Sequence, residues 1–158
     1  MTPLRIRRAL PSDALACAAI MRAAIRALPP VIHPPRALAA WASLPPLYHR
    51  WAMGPGGETY LVAARAGRVL GYAALRGGEL TAVFVRPRAQ GAGIGRALVR
   101  AAAARARRAG ARSLRVLAAR AAVDFYAALG FRGRARERVP LPGGLALDSV
   151  RMRLVLPP

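Results

Sequence analysis

The sequence has no lysine and a single cysteine, Cys17, in 158 residues. One cysteine excludes a disulfide within the chain and a cysteine-rich metal site. No residues stand at metal-ligand spacing either, so we expect no metal, and the cysteine content fits a cytoplasmic location. No run approaches the roughly 18 uncharged apolar residues of a membrane span, so we expect no membrane partner. The missing lysine also excludes a P-loop, which ends in Gly-Lys-Ser or Gly-Lys-Thr.

Acidic residues are also few: there are six, against 26 arginines, which gives a formal net charge of +20. Such a charge is typical of proteins that bind nucleic acid. The arginines, however, are spread from Arg5 to Arg153 and accompany much alanine, glycine and proline, a pattern typical of GC-rich coding sequence. We therefore do not expect nucleic acid as the main partner. Acidic ligands should still be attracted, with a strong dependence on salt.

The apolar content is sufficient for one domain over residues 1–158, since 55% of the residues are hydrophobic. Periodicity and turn residues predict a mixed order of strands and helices. Strands are predicted at 4–10, in a meander over 59–87, and at 113–119, 131–139 and 148–156. Helices are predicted at 11–28, 95–110 and 121–130. The proline-rich segment 29–57 is predicted to be a long loop with one short helix near 36–43.

The stretch "RAQGAGIGRAL", residues 88–98, places glycines at positions 91, 93 and 95 directly before a helix. Bare backbone amides at a helix N-terminus are suited to binding a phosphate. A dinucleotide fingerprint fits poorly, because its third glycine would fall at position 96, where Arg96 stands. The turn is therefore predicted to hold a phosphate of another kind of ligand, or to be only a glycine-rich connector.

The strand, this turn and the helix resemble the acetyl-CoA signature of the GNAT superfamily of N-acetyltransferases, Q/R-x-x-G-x-G/A, which Gln90, Gly93 and Gly95 match. "ELTAVFVRP" is similar to the family's fourth strand, "FYAALGF" to its closing tyrosine helix and "GGLALDSVRMRLVL" to its last hairpin. The resemblance covers about residues 2 to 156. It implies an α/β fold of the α+β type. The expected sheet is mixed but mostly antiparallel, has six to seven strands splayed between the fourth and fifth, and is flanked by about four helices.

The resemblance also implies an activity, which is acetyl transfer from acetyl-CoA to a primary amine by direct attack in a ternary complex. Acetyl-CoA would be the cosubstrate and the amine acceptor is not identified. A non-catalytic acyl-CoA-binding or nucleic-acid-binding module on the same fold is the alternative, and a homodimer is possible. The residues expected to bind the coenzyme are Val83, Phe84, Val85, Gln90, Gly91, Ala92, Gly93, Ile94, Gly95, Arg96 and Tyr126. Relatives carry a serine or asparagine before the tyrosine helix, where this chain has only Ala118 to Ala121, with Arg120 as a substitute.

Proton transfer is assigned by the same resemblance. Tyr126 would be the general acid that protonates the departing thiolate, lying at the edge of a buried helical stripe that contains Phe125. Glu79, which opens the "ELTAVFV" strand, would be the general base, with a solvated strand-end carboxylate as the alternative. Glu58 is expected to be solvated, and Glu137 to be paired with arginine. His33 and His49 are expected to be solvated loop histidines, with bases on the acceptor side as the alternative. Three aromatic residues of segment 29–57 would form a cage for a cationic amine, or only the core of a lid: Trp41, Tyr48 and Trp51.

Overall fold

The computed structural model describes residues 2–158, which form seven strands and five α-helices. The strands are β1 (Arg5–Arg8), β2 (Thr59–Arg65), β3 (Arg68–Arg76), β4 (Glu79–Val85), β5 (Ser113–Ala119), β6 (Arg132–Leu141) and β7 (Leu145–Val155). The helices are α1 (Ala14–Arg26), α2 (Pro35–Trp41), α3 (Pro46–Met53), α4 (Ile94–Arg108) and α5 (Val123–Ala128). None of these helices is long and apolar enough to cross a membrane.

The strands form one sheet in the order β1-β2-β3-β4-β5-β7-β6. Every neighbouring pair is antiparallel except β4 and β5, which run parallel. These two strands pair only through Glu79 and Leu80 with Arg115 and Val116. Beyond that point they diverge, and the sheet opens. The predicted fold is therefore confirmed, including the splay between the fourth and fifth strands, although five helices are present in residues 2–158 where about four were expected.

Two hydrophobic cores lie on opposite faces of the sheet. The first packs α4 and α5 against the central strands and includes Leu98, Val116 and Phe131. The second packs α1, α2 and α3 against β2 and β3 and includes Ile25 and Tyr72. The splay between β4 and β5 therefore lies between two rigid layers, which hold its two edges apart.

Segment 29–57 contains more helix than the sequence predicted. It contains α2 and also α3, a second helix that the prediction of one short helix missed. Both helices have a proline in the first turn, Pro35 and Pro46, each preceded by another proline in extended conformation. Proline is well tolerated at the first helical position, because the N–H that it lacks has no partner within a helix there. The pairs Pro34–Pro35 and Pro45–Pro46 therefore mark helix starts in a segment that was predicted to be mainly loop.

Candidate active site

A cleft of about 460 Å³ opens where β4 and β5 diverge. One wall is β4 from Thr81 to Val85, and Tyr126 of α5 lies at the same opening. The other walls come from α1, α2, α3 and β2, together with the turn between β6 and β7. The cleft thus joins the two faces of the sheet, and its contents would contact both the α4–α5 layer and the α1–α3 layer.

The edge of β4 offers backbone hydrogen-bonding groups to this cleft. The Arg86 N–H donates to the Leu70 carbonyl at 2.8 Å, so residue 86 faces the neighbouring strand β3. In an antiparallel pair, every second residue directs its N–H and C=O groups toward the partner strand. Residues 84 and 86 therefore face β3, and the backbone groups of Val83 and Val85 point away from β3 into the cleft. The Val85 carbonyl accepts a hydrogen bond from the Gln90 side-chain amide at 3.1 Å. An extended ligand could therefore pair with Val83 and with the Val85 N–H as an added strand.

The glycine-rich turn presents a second set of donors. Gly91 and Gly93 have φ of +82° and +84°, a conformation that favours glycine, and α4 begins at Ile94. Within residues 2–158 the N–H groups from 91 to 96 donate to no backbone carbonyl. The first backbone hydrogen bond at the start of α4 runs from the Ala97 N–H to the Gly93 carbonyl at 3.0 Å. These free donors, and the positive end of the helix dipole, suit the turn to binding an anion.

Tyr126 is held firmly at the cleft. It is 5% exposed, and its ring packs edge-on against Phe125 at 5.1 Å and Phe131 at 5.3 Å between centroids. Burial raises the pKa of the Tyr126 hydroxyl, so it keeps its proton at neutral pH. Gly95 brings α5 close to α4, because a Cβ at this position would lie 3.1 Å from the Phe125 ring.

An aromatic cluster lines the far side of the cleft. The rings of Tyr60 and Tyr72 are stacked 5.3 Å apart, and His49 packs edge-on against both at 5.8 Å. His49 is 1% exposed and its Nδ1 lies 2.9 Å from the Tyr60 hydroxyl. Burial lowers the pKa of His49 to about 4, so its ring is neutral at pH 7. Trp41 and Phe84 extend this apolar wall, with ring centroids 5.6 Å apart.

A family model of the acetyltransferase (GNAT) domain matches residues 40–140. That range contains the splayed strands, the glycine-rich turn and Tyr126. The chain belongs to the GNAT family. No curated protein matches the chain.

Solved structures share this GNAT fold over nearly the whole chain. A GCN5-related N-acetyltransferase from Rhodopseudomonas palustris is 30% identical, with a TM-score of 0.89 over 99% of this chain and 97% of that one. A ribosomal-protein-alanine N-acetyltransferase from Brucella melitensis is 27% identical, with a TM-score of 0.69 over 96% and 99%. The protein yncA from Salmonella typhimurium, solved with its cofactor acetyl-CoA, is 24% identical, with a TM-score of 0.70 over 98% and 94%. At 24% identity, the likeness to yncA shows only that the two chains share a fold.

The structure brings only some of the predicted GNAT site residues to the cleft. Gln90, Tyr126, Trp41 and Tyr48 line it, whereas Trp51 does not and is 52% exposed. The remaining turn residues lie beyond the Gln90 end of the cleft, at the start of α4.

Glu79 also lies outside the cleft lining. It is half-buried at the start of β4, where its backbone is in register with Arg76 of β3 and Arg115 of β5. It precedes by two residues Thr81, which does line the cleft. Its role as general base stays a prediction.

The expected packing of the tyrosine helix was wrong. Phe125, placed in the buried stripe, is 37% exposed, whereas Tyr126, placed at its edge, is buried. A 3₁₀ turn over Arg120–Ala122 precedes α5. The buried face of α5 is centred on Tyr126, and not on the stripe counted from Ala122.

Glu58, His33 and His49 were expected to be solvated, and this was wrong. Glu58 is 8% exposed and the two histidines are each 1% exposed. The turn after α3 folds back, so that the Glu58 N–H donates to the Ala52 carbonyl at 2.8 Å and the side chain lines the cleft. The position of Glu58 directly before the apolar strand "TYLVAA" was the available sequence signal.

His33 links the α1–α2 connection to the turn before the tyrosine helix. Its Nε2 accepts a hydrogen bond from the Ala121 N–H at 3.2 Å, and burial lowers its pKa, which keeps this nitrogen an acceptor. His33 thus supplies a polar contact in the turn where the family resemblance led us to expect a serine or asparagine. Arg120, the expected substitute, is exposed. Glu137 is paired as expected, through Arg151 at 2.9 Å.

Proposed function

We propose that this protein is an N-acetyltransferase that binds acetyl-CoA in the cleft and transfers its acetyl group to a primary amine. The observation that carries the proposal is one continuous cleft that joins the β4 edge to Tyr126 and to an aromatic pocket, with the anion-binding turn beyond Gln90. Membership of the GNAT family and the acetyl-CoA bound by yncA from Salmonella typhimurium support it.

Both the glycine-rich turn and strand β4 would bind acetyl-CoA. The N–H groups from Gly91 to Arg96 would donate to the pyrophosphate, and these charge-assisted hydrogen bonds are about twice as strong as neutral ones. Val83 and Val85 would pair with the amides of the pantetheine arm, as in strand addition. Gln90 would hold the Val85 carbonyl in place, which fixes the turn relative to the strand. The thioester would then lie next to the backbone of β4 and the hydroxyl of Tyr126.

Acetyl transfer needs a neutral amine, a stabilised oxyanion and a protonated leaving group. The amine nitrogen attacks the thioester carbonyl, a C–N bond forms, and a β4 N–H donates to the developing oxyanion. The C–S bond then breaks, the thiolate takes a proton from Tyr126, and the new amide nitrogen gives its extra proton to water. The Tyr126 phenolate takes a proton back from water, because burial raises the pKa of its hydroxyl. Glu79 remains the predicted acceptor for the proton that the ammonium loses first.

Two measurements on the purified protein test this function. Calorimetry with acetyl-CoA and with duplex DNA, each at low and moderate ionic strength, measures which ligand binds. Release of free thiol from acetyl-CoA, with a panel of primary amines, measures transfer. We expect heat with acetyl-CoA at both ionic strengths and amine-dependent thiol release. Heat without thiol release for any amine would indicate a binding module, and heat with DNA alone would indicate a nucleic-acid protein.

A further inference from the structure

The cleft is almost uncharged although the protein is strongly basic. The chain has 26 arginines and a formal net charge of +20, but no arginine lines the cleft within residues 2–158. Glu58 is the one charged side chain among these lining residues, since burial keeps His49 neutral at pH 7. An acceptor with a carboxylate or a phosphate would therefore lose water in this cleft and find no cation in return.

Glu58 itself forms no ion pair in the described part of the chain, although the Arg76 guanidinium donates to the Gly56 carbonyl, two residues away, at 2.7 Å. Arginine–carboxylate pairs within residues 2–158 involve other acids: Arg7–Asp13, Arg138–Asp148 and Arg151–Glu137. Glu58 is 8% exposed and lines the cleft, so its carboxylate faces the space that a ligand would enter. Its charge is felt by the surrounding rings: burial, and next the charge of Glu58, raises the pKa of Tyr48 and of Tyr60. A cation that enters the cleft would thus meet one unpaired carboxylate.

The walls around Glu58 are aromatic and apolar. Tyr48 and Tyr60 line the same cleft and are the rings on which the charge of Glu58 acts, and Trp41 with Phe84 continues the wall toward β4. Aromatic faces attract a cation and pack against an apolar body. A compound with several positive charges would gain only one carboxylate here and would be repelled by the net charge of +20.

Given the proposed acetyltransferase function, we propose that Glu58 binds the ammonium group of the acceptor, and that the acceptor carries a single amine on an aromatic or aliphatic body without carboxylate or phosphate. Glu58 acts as the specificity-determining residue of this acceptor pocket. The aromatic wall holds the body of the amine, and the ammonium lies on the same face of the sheet as Tyr60, two residues further along the chain.

Three amines separate this acceptor class from the others. 2-Phenylethylamine carries the proposed chemistry, phenylalanine adds a carboxylate to the same body, and spermidine is a polycation. Thiol release is the assay. We expect kcat/KM for 2-phenylethylamine to exceed that for phenylalanine and for spermidine by about tenfold or more, because each of these two compounds would bury a charge that finds no partner in the cleft. A preference for phenylalanine or spermidine would overturn the proposed class.

Glu58→Gln tests the residue, with Glu137→Gln as the matched control on the surface of β6. Glu58→Gln removes a hydrogen bond between charged groups, so we expect it to raise KM for 2-phenylethylamine by about ten- to a hundredfold. The Kd of acetyl-CoA should stay unchanged, and Glu137→Gln should match the wild type in both. Calorimetric binding of 2-phenylethylamine to the CoA-bound protein repeats the comparison without turnover.

These measurements distinguish the two proposals. Absence of thiol release with intact, Glu58-dependent binding of 2-phenylethylamine would overturn the acetyltransferase function and leave the amine site standing. Unchanged KM and unchanged amine affinity in Glu58→Gln would overturn the site, as would the absence of any binding of 2-phenylethylamine to the wild type. An unfolding midpoint equal to that of the wild type shows that the variant is folded.

Discussion

The strongest test of the anion-binding turn is the substitution Gly93→Ala. Gly93 has φ of +84° and ψ of 7° at the residue that precedes α4, and a Cβ there would meet no atom within 4 Å. The cost to the free protein is therefore conformational, about 1–2 kcal/mol for a left-handed alanine. If the chain relieves this strain by rotating the peptide, the N–H groups from 93 to 95 no longer converge. Loss of one hydrogen bond to a charged phosphate, about 1.5–3 kcal/mol, raises the Kd of acetyl-CoA by about ten- to a hundredfold.

Gly110→Ala is the matched control for this experiment. Gly110 follows α4 at its other end, has φ of +93°, and a Cβ added to it would likewise meet no atom within 4 Å. It should lose similar stability in urea unfolding but keep the wild-type Kd in calorimetry at the same ionic strength. A wild-type Kd for Gly93→Ala, or an equal rise in Kd for both variants, would refute the reasoning that the turn binds the pyrophosphate.

Three further predictions concern the acid, a buried histidine and the net charge. Tyr126→Phe should lower kcat for thiol release by about a hundredfold or more and leave the Kd of acetyl-CoA unchanged, since general acid catalysis contributes about 10²–10⁴; full activity contradicts the role. His49 has a pKa of about 4 in the folded protein, against an ordinary value of 6.5. Between these values the unfolded state binds a proton that the folded state does not, so the free energy of unfolding falls by about 3 kcal/mol as the pH drops from 6.5 to 4. His49→Gln, which can still pair with Tyr60, should flatten urea stability over that window, and an unchanged slope contradicts this. The Kd of acetyl-CoA should rise with salt because of the net charge of +20, and a salt-independent Kd contradicts this.

Features that depend on a few neighbouring residues could be predicted from the sequence. Except for α3, the order of strands and helices follows from local periodicity, and the start of α4 after Gly93 follows from glycine's access to positive φ. The splayed sheet followed from the family resemblance, which Gln90, Gly93 and Gly95 carry together with the strand before them and the tyrosine helix after them. The predicted strand 113–119 coincides with β5.

Tertiary structure alone decided which polar side chains enter the cleft. Glu58 looked like a turn residue, and only the packing of α3 against α1 and β2 buries it beside Tyr60. His33 meets Ala121, 88 residues away in the chain, a contact that no local pattern contains. Tyr126 is buried and Phe125 is exposed because the Tyr126 ring packs against Phe131, beyond the end of the helix. Local sequence determines backbone conformation, whereas the burial of a charge depends on distant segments that together exclude water around it.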